Sequence, residues 1–179
     1  MGRGSRLVPA KPTPRCYDGF AGRRRTIFPG NPEELVAKKR EGEPWMPAAE
    51  YGRQLPSFSA NLIVRDVAQS VAFYRDVLGA SVRYSDPDFA ALRFSHLDFM
   101  LHADHTYEEH PWHGRLSSND ERGLGAELRL LGVNPDDIEG RARTSGATVL
   151  QATTDKAHGW RELMVADPDG YVWAIGVPT

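Results

Sequence analysis

Asn61-Leu-Ile-Val-Arg-Asp-Val-Ala-Gln-Ser-Val-Ala-Phe-Tyr-Arg-Asp-Val-Leu-Gly-Ala-Ser-Val-Arg-Tyr84 reads as strand, capped helix, glycine stop and strand. Glu127-Leu-Arg-Leu-Leu-Gly-Val-Asn-Pro-Asp-Asp-Ile-Glu-Gly-Arg-Ala-Arg-Thr-Ser-Gly-Ala-Thr-Val-Leu150 repeats that order in different letters. In the first copy, alternation places Ala60, Leu62 and Val64 on one face and Ser59, Asn61 and Ile63 on the other. Asp66 with Gln69 three residues on makes a capping-box pattern, and Val67, Val71, Tyr74, Val77 and Leu78 form an apolar stripe that ends at Gly79. In the second copy Asn134 is the cap, Pro135 takes the first helical position, Asp136 and Asp137 favour the positive end of the helix, and Gly146 stops it.

Working outward, each copy continues into further short strands. The first predicts strands over about Ala80 to Ser85, Phe89 to Phe94 and Leu97 to Ala103, separated by turn residues such as Asp86-Pro87-Asp88. The second predicts Ala147 to Thr153, Trp160 to Ala166 and Tyr171 to Val177, the last two joined by the turn Asp167-Pro168-Asp169-Gly170. Each copy is strand, helix, three strands. Two such units facing each other would leave a cleft, and a site for a small molecule is expected between the repeats.

The flanks differ in character. Residues 1–55 hold 11 Lys and Arg against 6 Asp and Glu, although the whole chain of 179 residues carries a net charge of −2. Residues 1–27 read as a basic, solvated tail, without the apolar core of a secretory signal. Residues 28–56 read as a helical arm: Asn31-Pro32-Glu33-Glu34 offers a cap and an acidic first turn, Gly42 a stop, and Pro47 opens a second short turn. Trp45, Met46 and Tyr51 are its expected anchors on the main domain, and a lid over the cleft is the alternative reading. The first module spans 57–104, a link 105–122, and the second module 123–179.

Composition excludes several classes of function. With 40% hydrophobic and 26% charged residues the chain can bury an ordinary core. No apolar run approaches the length of a membrane span. The single cysteine, Cys16, allows no internal disulfide, which points to a reducing compartment, the cytoplasm by default. No Gly-rich phosphate loop, nucleophile elbow or Cys-x-x-Cys pair occurs, and nucleic-acid binding would rest on the basic tail alone.

The layout, together with Asn61-Leu-Ile-Val-Arg-Asp66, Phe73-Tyr-Arg-Asp-Val-Leu-Gly79 and Asp167-Pro-Asp-Gly-Tyr171, resembles the vicinal oxygen chelate superfamily, which includes glyoxalase I, extradiol dioxygenases and bleomycin resistance proteins. The resemblance implies an α+β fold: two βαβββ modules forming a cupped eight-stranded mixed sheet, with the N-terminal helical arm added. In metal-dependent members it implies His or Gln early in a module's first strand and Glu in its last. The matching positions here are Ser59, Met100, Glu127 and Ala174, a set with one carboxylate, so no metal and no cofactor is expected at that centre. His102, His105, His110 and His113 crowd the end of the first module without a recognised ligand spacing, and are read as loop residues that hydrogen bond or touch a ligand.

The resemblance to metal-free members implies binding of a drug or metabolite, as in antibiotic resistance by sequestration, by a homodimer without nucleic-acid or membrane partners. Ser59, Asn61, Met100, His102, Glu127, Arg129, Trp160 and Ala174 are the expected ligand-binding residues. Trp112 and Trp160 could stack on an aromatic ligand. The rival expectation is a lyase or isomerase in which Glu127 is a general base and Arg129 steadies an oxyanion. Glu127 and Arg129, two apart on one face, could equally pair with each other.

Overall fold

A computed structural model of the chain describes residues 39–111, 113–116 and 122–179. The basic tail and most of the arm helix expected between Asn31 and Gly42 lie outside the described residues. All the described residues belong to one unit, which runs from Asn31 to Thr179.

The first module comprises β1 (Ala60–Val64), α2 (Val67–Ala72), β2 (Ser81–Ser85), β3 (Phe89–Phe94) and β4 (Leu97–Ala103), preceded by a one-turn helix α1 (Ala48–Gly52). The second comprises β5 (Glu127–Leu131), α3 (Pro135–Ser145), β6 (Thr148–Lys156), β7 (Trp160–Ala166) and β8 (Val172–Pro178). The eight strands divide into two four-stranded mixed sheets, ordered β1-β4-β3-β2 and β5-β8-β7-β6. In each, the first strand runs parallel to the last and the other pairs are antiparallel. The repeat legible in the letters is therefore also a repeat of topology.

The expected caps are in place. Asp66 accepts a hydrogen bond from the Gln69 amide at 2.9 Å, and Asn134 accepts one from the Asp136 amide at 3.0 Å. Gly146 closes α3 with φ 75°, a left-handed conformation that glycine adopts without a Cβ penalty. One feature differs from the sequence expectation: α2 ends in a π turn over Phe73–Val77. The wider turn buries Phe73, Tyr74 and Val77 together, and the Ala80 amide closes it on the Tyr74 carbonyl at 2.8 Å. The link between the modules contains two 3-10 turns, Asp104–Tyr107 and His113–Arg115. Among the described residues no helix is long and apolar enough to cross a membrane.

Both modules share one core, built from the helix-facing side of each sheet. Leu62, Val64, Phe99 and Leu101 from the first pack with Leu163, Val165, Trp173 and Ile175 from the second, around Val67, Tyr74, Ile138 and Ala142 of the helical segments. Trp173 is the keystone: its ring lies 5.7 Å from that of Tyr74, 5.6 Å from Phe94 and 6.2 Å from Phe99.

Polar contacts tie the modules at one end of this core. Tyr74 donates its hydroxyl to Asp167 at 2.6 Å, while the other Asp167 oxygen accepts the amides of Asp169 and Tyr171 at 3.0 and 2.8 Å. Arg65 donates to Asp169 at 2.7 Å, and Tyr171 donates to the Ile63 carbonyl at 3.1 Å. Arg122 donates to the Ile63 carbonyl at 2.9 Å and forks onto both oxygens of Asp104. Beside Arg122, a Cβ on Gly123 would lie 2.6 Å from the Tyr171 ring at φ 74°, so only glycine passes here.

Burial opposes ionisation of Asp167 strongly enough that its carboxyl is raised to about 6 despite those donors. The unfolded chain releases this proton near 3.8, so between pH 4 and 6 the folded protein binds more protons than the unfolded one, and stability falls as pH rises through that window. Asn in place of Asp167 keeps an acceptor for the two amides and carries no charge. Urea unfolding at a series of pH values is expected to show the stability of Asp167→Asn gaining on the native chain between pH 4 and 7, by roughly 2 to 3 kcal/mol for a shift of this size. A difference that stays flat with pH would contradict the burial argument.

Candidate functional site

The helix-distant faces of the two sheets are furnished differently. On the first, strand register sets Asn61 beside Met100, Ile63 beside His102, Phe89 beside His102 and Ala91 beside Met100. A bulge between Val82 and Tyr84 brings Tyr84 opposite Ala91, onto the same face. Tyr84, Phe89, Met100 and His102 thus form one wall of a cavity of about 410 Å³.

The arm forms the other wall, through Arg40, Pro44, Trp45, Met46, Tyr51 and Leu55. Trp45 stacks on Tyr84 at 4.9 Å and 10°, and Tyr51 meets Phe89 edge-on at 5.4 Å. The turn between β2 and β3 anchors it: Asp88 accepts the Arg40 amide at 2.7 Å, and Asp86 accepts the Arg40 guanidinium at 3.2 Å and the Tyr84 hydroxyl at 2.7 Å. Burial opposes the charge of Asp86, but donors from Tyr84, Asp88, Phe89 and Arg40 outweigh it and hold this carboxyl below the ordinary range. The arm thus lies against the outer face of the first sheet, with Trp45, Met46 and Tyr51 on the cavity wall. Among the described residues none of the second module lines this cavity, so the expected cleft between the repeats is not where it lies.

Met100 and His102 are the sequence-predicted ligand residues that line the cavity. Asn61 stands behind them, accepting a 2.7 Å hydrogen bond from His102 Nδ1 through Oδ1 and donating through Nδ2 to the Tyr107 hydroxyl at 2.6 Å. Burial lowers the basicity of His102, so its ring is neutral at pH 7. Ser59 lies away from the cavity and donates to the Asp98 carbonyl at 3.2 Å. Asp98 is engaged by Arg93 at 2.7 Å and Arg83 at 3.5 Å. Trp112 lies outside the described residues.

Glu127, Arg129, Trp160 and Ala174 all belong to the second module and do not reach the cavity. Glu127 accepts from Arg129 at 3.0 Å, which also pairs with Glu162. Because β8 lies between β5 and β7, the Arg129–Glu162 pair crosses over β8, above Ala174, which is 1% exposed. Gly176 makes room for it, since a Cβ there would sit 3.1 Å from Glu162 Cγ. Glu127 is thus a partly exposed partner of a guanidinium rather than a carboxylate in an apolar cleft, and the pairing weighed as an alternative is the one observed.

The same register settles how the two copies correspond. Asn61 pairs with Met100 as Arg129 pairs with Ala174, so Ser59 and Glu127 are equivalent. The four positions that the sequence resemblance matches to metal ligands therefore hold a hydroxyl already donating to a carbonyl, a thioether, an arginine-bound carboxylate and a buried methyl. This donor set does not fit a divalent ion. Among the described residues no three His, Cys, Asp or Glu side chains converge on one point. Of the histidines after β4, His105 binds Asp88 at 2.9 Å and the ring of His110 lies 5.3 Å from Tyr107.

Tyr84, Phe89, Arg40, Asp88 and Thr106 line the cavity without having been singled out by the sequence pattern. Phe89 was accessible to it, being the cross-strand partner of His102 once β3 and β4 are taken as a hairpin. Tyr84 was not, because plain alternation along β2 places it on the core side and only the bulge reverses it.

Comparison with known proteins agrees with the topology. Residues 57–175 match the family described as the Glyoxalase/Bleomycin resistance protein/Dioxygenase superfamily. An uncharacterized protein of Mycobacterium bovis is 32% identical over 132 residues, covering 69% of this chain and 84% of that protein. One from Mycobacterium tuberculosis strain H37Rv is likewise 32% identical over 132 residues, covering 69% of this chain and 75% of its own. The crystal structure of a glyoxalase/bleomycin resistance protein/dioxygenase family enzyme from Burkholderia phytofirmans PsJN superposes with a TM-score of 0.57 at 22% identity, covering 68% of this chain and 97% of that one. With paired βαβββ modules, a matching profile over most of its length and relatives of the same extent, the chain belongs to the glyoxalase/bleomycin resistance protein/dioxygenase superfamily.

Proposed function

We propose that this protein binds a small, largely aromatic organic molecule in the chamber between the arm and the first sheet, without transforming it and without a metal at the superfamily's usual position. The observation that carries the reading is the chamber itself. Its volume of about 410 Å³ falls within the range of roughly 300–1,000 Å³ common for small-molecule sites. Trp45, Tyr51, Tyr84, Phe89, Met46 and Met100 give it an apolar, polarisable lining with few polar groups, the composition such sites favour. The corresponding physiological role is sequestration of a drug or metabolite, as a homodimer in the cytoplasm. The lyase or isomerase reading draws no support from this geometry, since Glu127 faces Arg129 on the other sheet and offers no base to a molecule in the chamber.

Calorimetric titration with a panel of aromatic antibiotics and metabolites tests the reading. A ligand found this way is expected to bind Met100→Trp about 100-fold more weakly, because an indole would fill space the ligand needs, a loss equivalent to roughly 3 kcal/mol. The thermal midpoint should change little, since Met100 borders empty volume rather than packed core. Unchanged affinity in that variant would place the ligand elsewhere, and silence across the panel would count against binding as the function.

A further inference from the structure

We propose that the chamber selects a neutral, flat aromatic molecule carrying one hydrogen-bond donor, a phenol-type hydroxyl, which His102 receives on its bare Nε2. This rests on the small-molecule reading above and adds the chemical class of the ligand and the residue that reads it.

The inference starts from hydrogen-bond bookkeeping around Asn61. Its amide nitrogen is engaged with the Tyr107 hydroxyl at 2.6 Å, so the oxygen at 2.7 Å from His102 Nδ1 can only accept. The imidazole proton therefore sits on Nδ1. In a neutral ring this leaves Nε2 with a lone pair and no proton, and among the described residues Nε2 has no protein partner. Tyr107 and Asn61 act as positioning residues: they choose the tautomer, and His102 presents the result to the cavity it lines. The rings of Phe89 at 4.8 Å and Tyr107 at 5.7 Å hold the imidazole in place.

The rest of the wall explains why the ligand should be neutral. Arg40 and Asp88 are the charged residues bordering the chamber, and they are engaged with each other and with the turn: Asp88 takes the Arg40 amide at 2.7 Å and His105 at 2.9 Å, and Asp86 takes the Arg40 guanidinium at 3.2 Å. Among the described lining residues, no uncommitted cation awaits an anion and no uncommitted carboxylate awaits an amine. The aromatic lining of Trp45, Tyr51, Tyr84 and Phe89 suits a flat ring. An open acceptor in an apolar chamber favours a ligand that supplies a donor over one of the same shape that cannot, because the unmatched ligand strips water from Nε2 without replacing it.

Paired probes test this: 2-naphthol, its methyl ether 2-methoxynaphthalene, and 2-naphthoate, titrated calorimetrically against the full chain at pH 8. The naphthol is expected to bind about tenfold more tightly than the ether, the size of one net hydrogen bond, with the naphthoate weakest. In His102→Phe the preference should vanish, the naphthol and the ether binding alike. Nitrogen-15 shifts of His102 are expected to report the Nδ1-protonated tautomer in the native chain and a move toward Nε2 protonation in Asn61→Leu. If Nε2 proves protonated in the native chain, or the naphthol preference survives in both variants, the donor-selection proposal is wrong while the chamber remains a binding site. If none of the three probes binds, both readings fall. Should His102→Phe not fold, Asn61→Leu and the native tautomer still decide the matter.

Discussion

Replacing Tyr74 by alanine is expected to remove about 4 kcal/mol of stability, within the range found when a large aromatic side chain is deleted from a core. Tyr74 is fully buried and touches the rings of Phe73, Phe99 and Trp173, so its loss opens a void where both modules meet. It is also the donor to Asp167 at 2.6 Å, and alanine leaves that oxygen without its partner. Since a domain is stable by only about 5–15 kcal/mol, the variant should unfold at markedly lower urea concentration. Tyr74→Phe separates the contributions: it keeps the ring contacts and loses the hydrogen bond, for about 2 kcal/mol. Equal losses in the two variants would mean that the void closes by collapse and that the polar contact dominates.

Replacing Arg122 by alanine is expected to cost about 3 kcal/mol, as when one partner of a buried ion pair is removed. Arg122 is 8% exposed, and its guanidinium joins three pieces of chain: the Ile63 carbonyl at the end of β1, the Asp104 carboxylate after β4, and the Leu116 carbonyl in the link at 3.2 Å. Asp169, 3.7 Å from Arg122 Nε, keeps Arg65 as a partner, which places the loss at the lower end of the range for such pairs. Lysine cannot form the two-pronged contact with Asp104, so Arg122→Lys should recover only part of the loss. Denaturant titration of both variants checks this, and a fully stable lysine variant would show that charge alone, without the fork, suffices.

Most of the fold was legible because each element announced itself locally. Asp66 and Asn134 sit before apolar-periodic runs, glycines follow those runs at Gly79 and Gly146, and Asp-Pro turns separate the short strands, so local preference and overall topology agree. The π turn over Phe73–Val77 was not legible, since its cause is the packing of Phe73 and Tyr74 against strands distant in sequence. The same limit applied to the site. Alternation correctly put Asn61, Met100 and His102 on one face, but the identity of the facing wall depends on how the arm docks, and that is set by Trp45 on Tyr84 and by Arg40 on the turn after β2. Symmetry between the repeats also misled: it suggested that both sheets contribute alike, whereas the second closes its own face with Arg129 and Glu162.

The bulge in β2 has a consequence for how such a chamber can arise. With Arg83 as the surplus residue, Val82 still opposes Leu92 on the core side, yet Tyr84 opposes Ala91 on the other. Were the same residues paired without the bulge, Arg83 would oppose Ala91, the phenol ring of Tyr84 would turn inward, and Trp45 would lose its stacking platform. One irregular pairing at a strand edge thus decides whether the outer face of this sheet offers the arm a ring to lie on.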